Sequence, residues 1–210
     1  MFPHRYIIFG LIALIFACMP QDYDALPSSS SIDSNALDQR FGCMRISNVS
    51  SALDNLSPKQ PMVECLVLGK EYNSQEGIVR EGCMMPLFRR YIAEQDGEFK
   101  LISSKEEFRT IFAPVETKEE ALAFAVALSG SLPRDDTSVP DGYFPVKPSI
   151  EATYAKVSEE GFKVHLFDSE LCGCGSHPYY AIEYLVTVDG NVTELSSEKV
   201  YDSTTQICVD

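Results

Sequence analysis

An unbroken apolar run, residues 7–17, ends at Cys18, and this junction constrains everything the chain can fold into. The run follows a short N-terminus with one firm cation, Arg5. A helix crossing a bilayer needs about 20 apolar residues, so this run is too short to span and has the length of a secretory leader. The remainder then folds in an oxidising compartment, where thiols pair. The chain has seven cysteines, an odd number. Setting Cys18 aside leaves Cys43, Cys65, Cys83, Cys172, Cys174 and Cys208, which pair evenly as disulfides in a pattern that spacing does not resolve.

The residues Leu14-Ile15-Phe16-Ala17-Cys18 carry a further signal. An aliphatic residue, a tolerant position and a small residue precede the cysteine, and this resembles the lipobox of bacterial lipoproteins. The resemblance implies cleavage before Cys18, a diacylglycerol on its sulfur, and a membrane as partner through that lipid. It is confined to these residues and names no family for the folded part. A plain secretory leader is the alternative. Three glycosylation sequons, at Asn48, Asn55 and Asn191, suit a secreted eukaryotic protein.

Charge narrows the partners. The chain carries 17 Lys+Arg against 31 Asp+Glu, and loss of the leader removes a cation, Arg5, and no acid. Nucleic-acid binding needs clustered cations to neutralise phosphates, and the nearest approach to a cluster is Arg89 with Arg90. Nucleic acid is therefore excluded as a partner; an unknown protein or small-molecule ligand remains.

Residues 1–17 read as signal peptide, 18–40 as lipidated cysteine plus flexible tether, and 41–210 as one globular domain. The stretch 21–39 is rich in Ser, Asp and Asn with little apolar periodicity, and as a coil it reaches roughly 25 Å. Strands are expected at 63–68, 86–93 and 99–102, the last two joined by the hairpin turn Asp96-Gly97. Two capping boxes follow. Ser104-Lys105-Glu106-Glu107 opens a helix with Phe108, Ile111 and Phe112 on one face, stopped by Pro114. Thr117-Lys118-Glu119-Glu120 opens a second, apolar nearly all round and stopped by Gly130, so it is expected to be buried. Residues 131–148 read as a loop. The last third reads as an antiparallel meander, with strands at 152–157, 162–167, 180–188 and 192–201. The expected fold is α+β: an antiparallel sheet with two helices packed on one face, braced by disulfides.

Few residues suggest chemistry. The loop Cys172-Gly173-Cys174-Gly175-Ser176-His177 admits three readings. Its cysteines join separate structural bridges; or they pair with each other in a small, easily reduced ring; or Cys172, Cys174 and His177 ligate zinc or copper. The first is favoured. Cys83-Met84-Met85 offers soft ligands, but core packing is the better account of the methionines. His165 falls on the polar side of its strand and reads as exposed and structural. No Gly-x-Ser-x-Gly elbow, phosphate-cradling glycine loop or cofactor motif is present. These features point to a non-enzymatic, lipid-anchored envelope protein that binds or scaffolds a partner. The alternatives are a thiol-redox or metal-handling protein centred on the Cys172/Cys174/His177 loop, and a secreted inhibitor or ligand-binding module without lipid.

Overall fold

The computed structural model describes residues 34–69, 76–83, 85–169 and 172–209. The leader, Cys18 and most of the tether lie outside them. The end of the tether does not stay coil. Ser34–Phe41 forms a helix, α1, whose Leu37 is buried, so the folded body starts before residue 41. Its sequence is polar and lacks strong helix signals; Leu37 and the neighbouring Cys43 are its buried anchor points.

A first sheet follows, built from β1 (Arg45–Asn48), β2 (Met62–Leu68), β3 (Val79–Glu81), β4 (Leu87–Gln95) and β5 (Glu98–Ile102). Its order is β1-β2-β4, with β3 and β5 sharing the far edge of β4, and all the pairings are antiparallel. β4 runs long because Leu87 to Ala93 carries apolar residues on both faces. The Asp96-Gly97 turn has φ of 54° and 78°, the paired positive values that match the twist of a tight hairpin. Between β1 and β2 a 3₁₀ turn, Ser51–Asn55, is capped by the Ser50 hydroxyl and delivers Ala52 and Leu53 to the core.

Both capping boxes form. α2 (Lys105–Phe112) begins with the Ser104 hydroxyl accepting from Glu107 N while the Glu107 carboxylate accepts from Ser104 N. α3 (Lys118–Ser129) repeats the device with Thr117 and Glu120. Each box satisfies backbone N–H groups that a helix start leaves without partners. α3 ends at Gly130, whose φ of 85° is the left-handed value glycine adopts without strain. A Cβ at Gly130 would also lie 2.7 Å from Val79 Cγ1, so the helix end abuts β3 too closely for any side chain.

The second sheet comprises β6 (Tyr143–Pro145), β7 (Tyr154–Ser158), β8 (Gly161–Ser169), β10 (Tyr179–Val186) and β11 (Val192–Ser203), in the order β6-β11-β10-β8-β7. A separate ribbon pairs β9 (Gly173–Gly175) with β12 (Ile207–Val209). The meander expected in the last third is this second sheet. The stretch 131–148 is more than a loop: Leu132 bridges to Phe167, and Tyr143–Pro145 adds an edge strand to β11. It wraps the outer side of the sheet. There Arg134 lies over the rings of Phe167, Tyr179 and Tyr201, and the Tyr201 hydroxyl donates to Thr137 O at 2.6 Å. Phe167, Ala181, Val200 and Tyr201 form a small second core beneath it.

The main core lies between the sheets. It joins Tyr91 and Ala93 of the first sheet, Phe108 and Phe112 of α2, nearly all of α3, and Val164, Leu166, Ile182 and Val186 of the second. The expectation of helices covering one face of a single sheet therefore changes. α3 packs on β7, β8, β10 and β11, while Tyr91 of β4 reaches it from the other side and donates to Ala127 O at 3.2 Å. A helix apolar on every side needs cover on every side; the second sheet, the 3₁₀ turn Ser51–Asn55 and Tyr91 of the first sheet supply it. Among the described residues, no helix is long and apolar enough to cross a membrane.

Candidate functional site: the cysteine loop and three clefts

The six cysteines form three disulfides: Cys43–Cys65, Cys83–Cys172 and Cys174–Cys208. The first fastens the end of α1 to β2, where Cys65 is fully buried. The second ties the turn between β3 and β4 to the segment after β8, joining the two sheets covalently. The third crosses the ribbon between directly opposed positions of β9 and β12. Cys172 and Cys174 therefore join separate partners, and the readings that bridge them to each other or set them on a metal with His177 find no geometry here. Their sulfurs are committed. His177 is buried with φ of 47°, and its Nε2 sits 2.9 Å from Ile207 O. A carbonyl only accepts, so Nε2 carries the proton and ties the loop to β12. Among the described residues, no group of three or more His, Cys, Asp or Glu converges as a metal site. The loop that looked most chemical in sequence is a stitched corner.

Two further expectations change. Met85 is 58% exposed, so it does not pack in the core as expected; Met84 lies outside the described residues. His165 is half-buried rather than exposed. It stacks on Tyr154 with centroids 5.0 Å apart and meets the Phe167 ring edge-on. Loss of water around the imidazole lowers its pKa, with Glu151 and Glu183 opposing the shift and Lys156 adding to it. A depressed value means that the unfolded chain binds the proton first. The stabilising effect of keeping His165 neutral is full above the ordinary value of about 6.5 and fades as pH falls toward the folded pKa. Melting temperatures measured from pH 8 to pH 5 should therefore fall more steeply for the native chain than for His165→Gln. Parallel curves would refute this.

The basic pair of the sequence is also committed. Arg89 is held by Glu81 and lies 3.8 Å from Glu64 on the neighbouring strand, and Arg90 Nε donates to Glu76 O at 2.6 Å. Burial raises the Glu64 pKa, and Arg89 pulls against that rise. The three sequon asparagines are exposed. Two of them use their side-chain amides locally, Asn55 on Ala52 O and Asn191 on Asp189.

Clefts among the described residues include three. One, about 480 Å³, has an apolar floor of Leu53, Leu56, Met62 and Phe112, with Asp54, Lys59 and Gln60 also lining it. Gln60 Oε1 is buried there without a donor among the described residues. A second, about 320 Å³, lies where Leu132 and Arg134 meet Phe167 and Tyr179. The third, about 340 Å³, is the most polar. Ile78, Val79 and Arg80 wall it from the first sheet and Tyr184, Val192 and Glu194 from the second, with Lys105 and Ser129 supplied by the helix ends. Sequence reading passed over these residues because no short motif gathers them. Lys105 in particular registers only as a filler position inside a capping box.

Comparison with known proteins gives no match: no family model, no curated protein and no solved structure aligns significantly with the chain.

Proposed function

We propose that the chain is an exported lipoprotein, held on a membrane by a lipid at Cys18, whose disulfide-braced domain binds a partner without chemistry of its own. The three bridges belong to an oxidising, extracytoplasmic compartment. The observation that carries the anchor is the cysteine pairing. Every cysteine after Cys18 is consumed within the domain, which leaves over the one that follows the apolar leader. The binding role draws on the concave surfaces of a frame whose two sheets a bridge holds together, and on the commitment of the cysteine loop to structure.

The test is expression with the native leader in a bacterium, followed by detergent phase partitioning and intact mass. The mature chain is expected to begin at Cys18, carry a diacylglycerol mass increment and enter the detergent phase. Cys18→Ala should move nearly all of it to the aqueous phase, because two acyl chains supply the stable membrane attachment that one cannot. A mature chain with unmodified Cys18, released from the membrane, would overturn the anchor and leave a secreted module.

A further inference from the structure

The ladder between β2 and β4 ends on two unsatisfied side chains. Met62 lies opposite Ala93, and the ladder continues one step further, where Glu94 N donates to Pro61 O at 2.9 Å. The same register sets Gln60 opposite Gln95, on the face that carries Met62 and Ala93. Side chains so placed have Cβ atoms about 4.5–5.5 Å apart. Both glutamines are half-buried. Gln60 Oε1 and Gln95 Nε2 are buried, and neither has a hydrogen-bond partner among the described residues. One is an acceptor and the other a donor, yet they do not bond to each other.

A buried polar atom without a partner costs its hydration and gains nothing in return. Folded chains keep few such atoms, and each asks for a reason. Here a cleft supplies one. Gln60 lines the cleft of about 480 Å³ whose floor is Leu53, Leu56, Met62 and Phe112. Leu53, Leu56 and Phe112 are buried members of the main core, so the floor is firmly packed. The charged residues of the lining, Asp54 and Lys59, are exposed and of opposite sign, so they give the cleft no net charge. An apolar hollow with a few placed polar groups is the usual form of a small-molecule site.

We infer that this cleft binds a small neutral solute with an apolar body and an amide whose N–H and C=O share one edge, as in a lactam or a primary carboxamide. The solute N–H donates to Gln60 Oε1, its C=O accepts from Gln95 Nε2, and its apolar body lies over Leu53, Met62 and Phe112. The terminal torsion of glutamine is broad and soft, so each amide turns toward the cleft at little cost. A trans secondary amide presents its N–H and C=O on opposite edges and does not match the pair. The inference rests on the binding role proposed above, but not on the anchor. It is therefore tested on the full mature chain carrying Cys18→Ser, with its bridges oxidised.

Benzamide and caprolactam are the probes. N,N-dimethylbenzamide, which keeps the ring and the carbonyl but has no N–H, is the control. Titration followed by NMR should give saturable shifts of the Gln60 and Gln95 side-chain amides and of the Leu53 and Met62 methyl groups. The probe that binds more tightly separates a carboxamide from a lactam. The control should bind about tenfold more weakly than benzamide, because it leaves Gln60 Oε1 unpaired. Gln60→Met should weaken benzamide binding about tenfold and leave the melting temperature unchanged or raised, because it removes an unpaired acceptor. Gln95→Met should do the same on the donor side. Failure of both probes to saturate, equal binding of benzamide and its dimethyl control, or native-like binding by Gln60→Met would overturn the inference. So would a fall in melting temperature from each single variant that the double variant restores, since the two amides would then serve each other. None of these outcomes touches the mass and partitioning test of the anchor, and the other two clefts would still carry the binding role.

Discussion

Replacing Cys83 and Cys172 together by alanine is expected to destabilise the domain by about 4–5 kcal/mol, the largest loss among the three bridges. A crosslink limits the unfolded chain more when it closes a longer loop, and this one spans 89 residues against 22 and 34 for the others. The chain-entropy relation gives about 3 kcal/mol for the shortest of them. At this domain size the loss of about 4–5 kcal/mol should appear as a fall in melting temperature of roughly 10–15 °C. The position adds to the effect. Cys83 follows β3 and Cys172 follows β8, so the bridge holds one edge of the first sheet to the second. The other two bridges staple segments that hydrogen-bonded ladders already hold, the residue just before β1 to β2 and β9 to β12. Thermal unfolding of the three paired-alanine variants would decide the ranking. A loss from the Cys83/Cys172 pair no larger than that from Cys43/Cys65 would show that native-state geometry, not loop length, sets the contribution.

That ranking could not be drawn from the sequence, because pairing is a property of the finished fold. Local signals were readable. Both capping boxes form because Ser104 with Glu107, and Thr117 with Glu120, need only their own turn to satisfy each other. The Asp96-Gly97 hairpin forms because those two residues tolerate positive φ. The missed strands are β1, β3, β6, β9 and β12, each three or four residues long. At that length apolar alternation has no room to show, and each strand exists because a longer neighbour offers an edge. The same reasoning covers the sites. Cys172, Cys174 and His177 looked like a centre because they are close in sequence, yet their partners Cys83, Cys208 and Ile207 are distant. Lys105, Arg80 and Glu194 looked like nothing because only the stacking of two sheets brings them together.

Phe108→Ala should cost about 3–5 kcal/mol, the loss that truncation of a buried aromatic ring brings. Phe108 is fully buried and touches three rings: Tyr91 at 5.6 Å, Phe112 at 4.7 Å and Phe124 at 5.3 Å between centroids. Those rings belong to β4, α2 and α3, so the residue joins the first sheet to both helices. The cavity left by truncation has little means of collapse. Phe124 is fixed from its far side by the turn at Gly190, where an added Cβ would lie 2.5 Å from Phe124 Cε1. Tyr91 is fixed by its hydrogen bond to Ala127 O. That hydroxyl serves one of the carbonyls that a helix end leaves without a partner. Tyr91→Phe should accordingly lose about 1–3 kcal/mol by leaving a buried acceptor unpaired, although the ring itself stays. The two substitutions separate packing from hydrogen bonding at one junction. If α3 is held chiefly by ring packing, Phe108→Ala exceeds Tyr91→Phe by a clear margin in denaturant midpoints at constant m. A double-mutant cycle between Phe108 and Phe124 should then return a coupling of about 0.5–1.5 kcal/mol beyond area burial. Additive losses at these two positions would mean that the edge-on contact is geometry without energy, and that α3 is centred by the sheets alone.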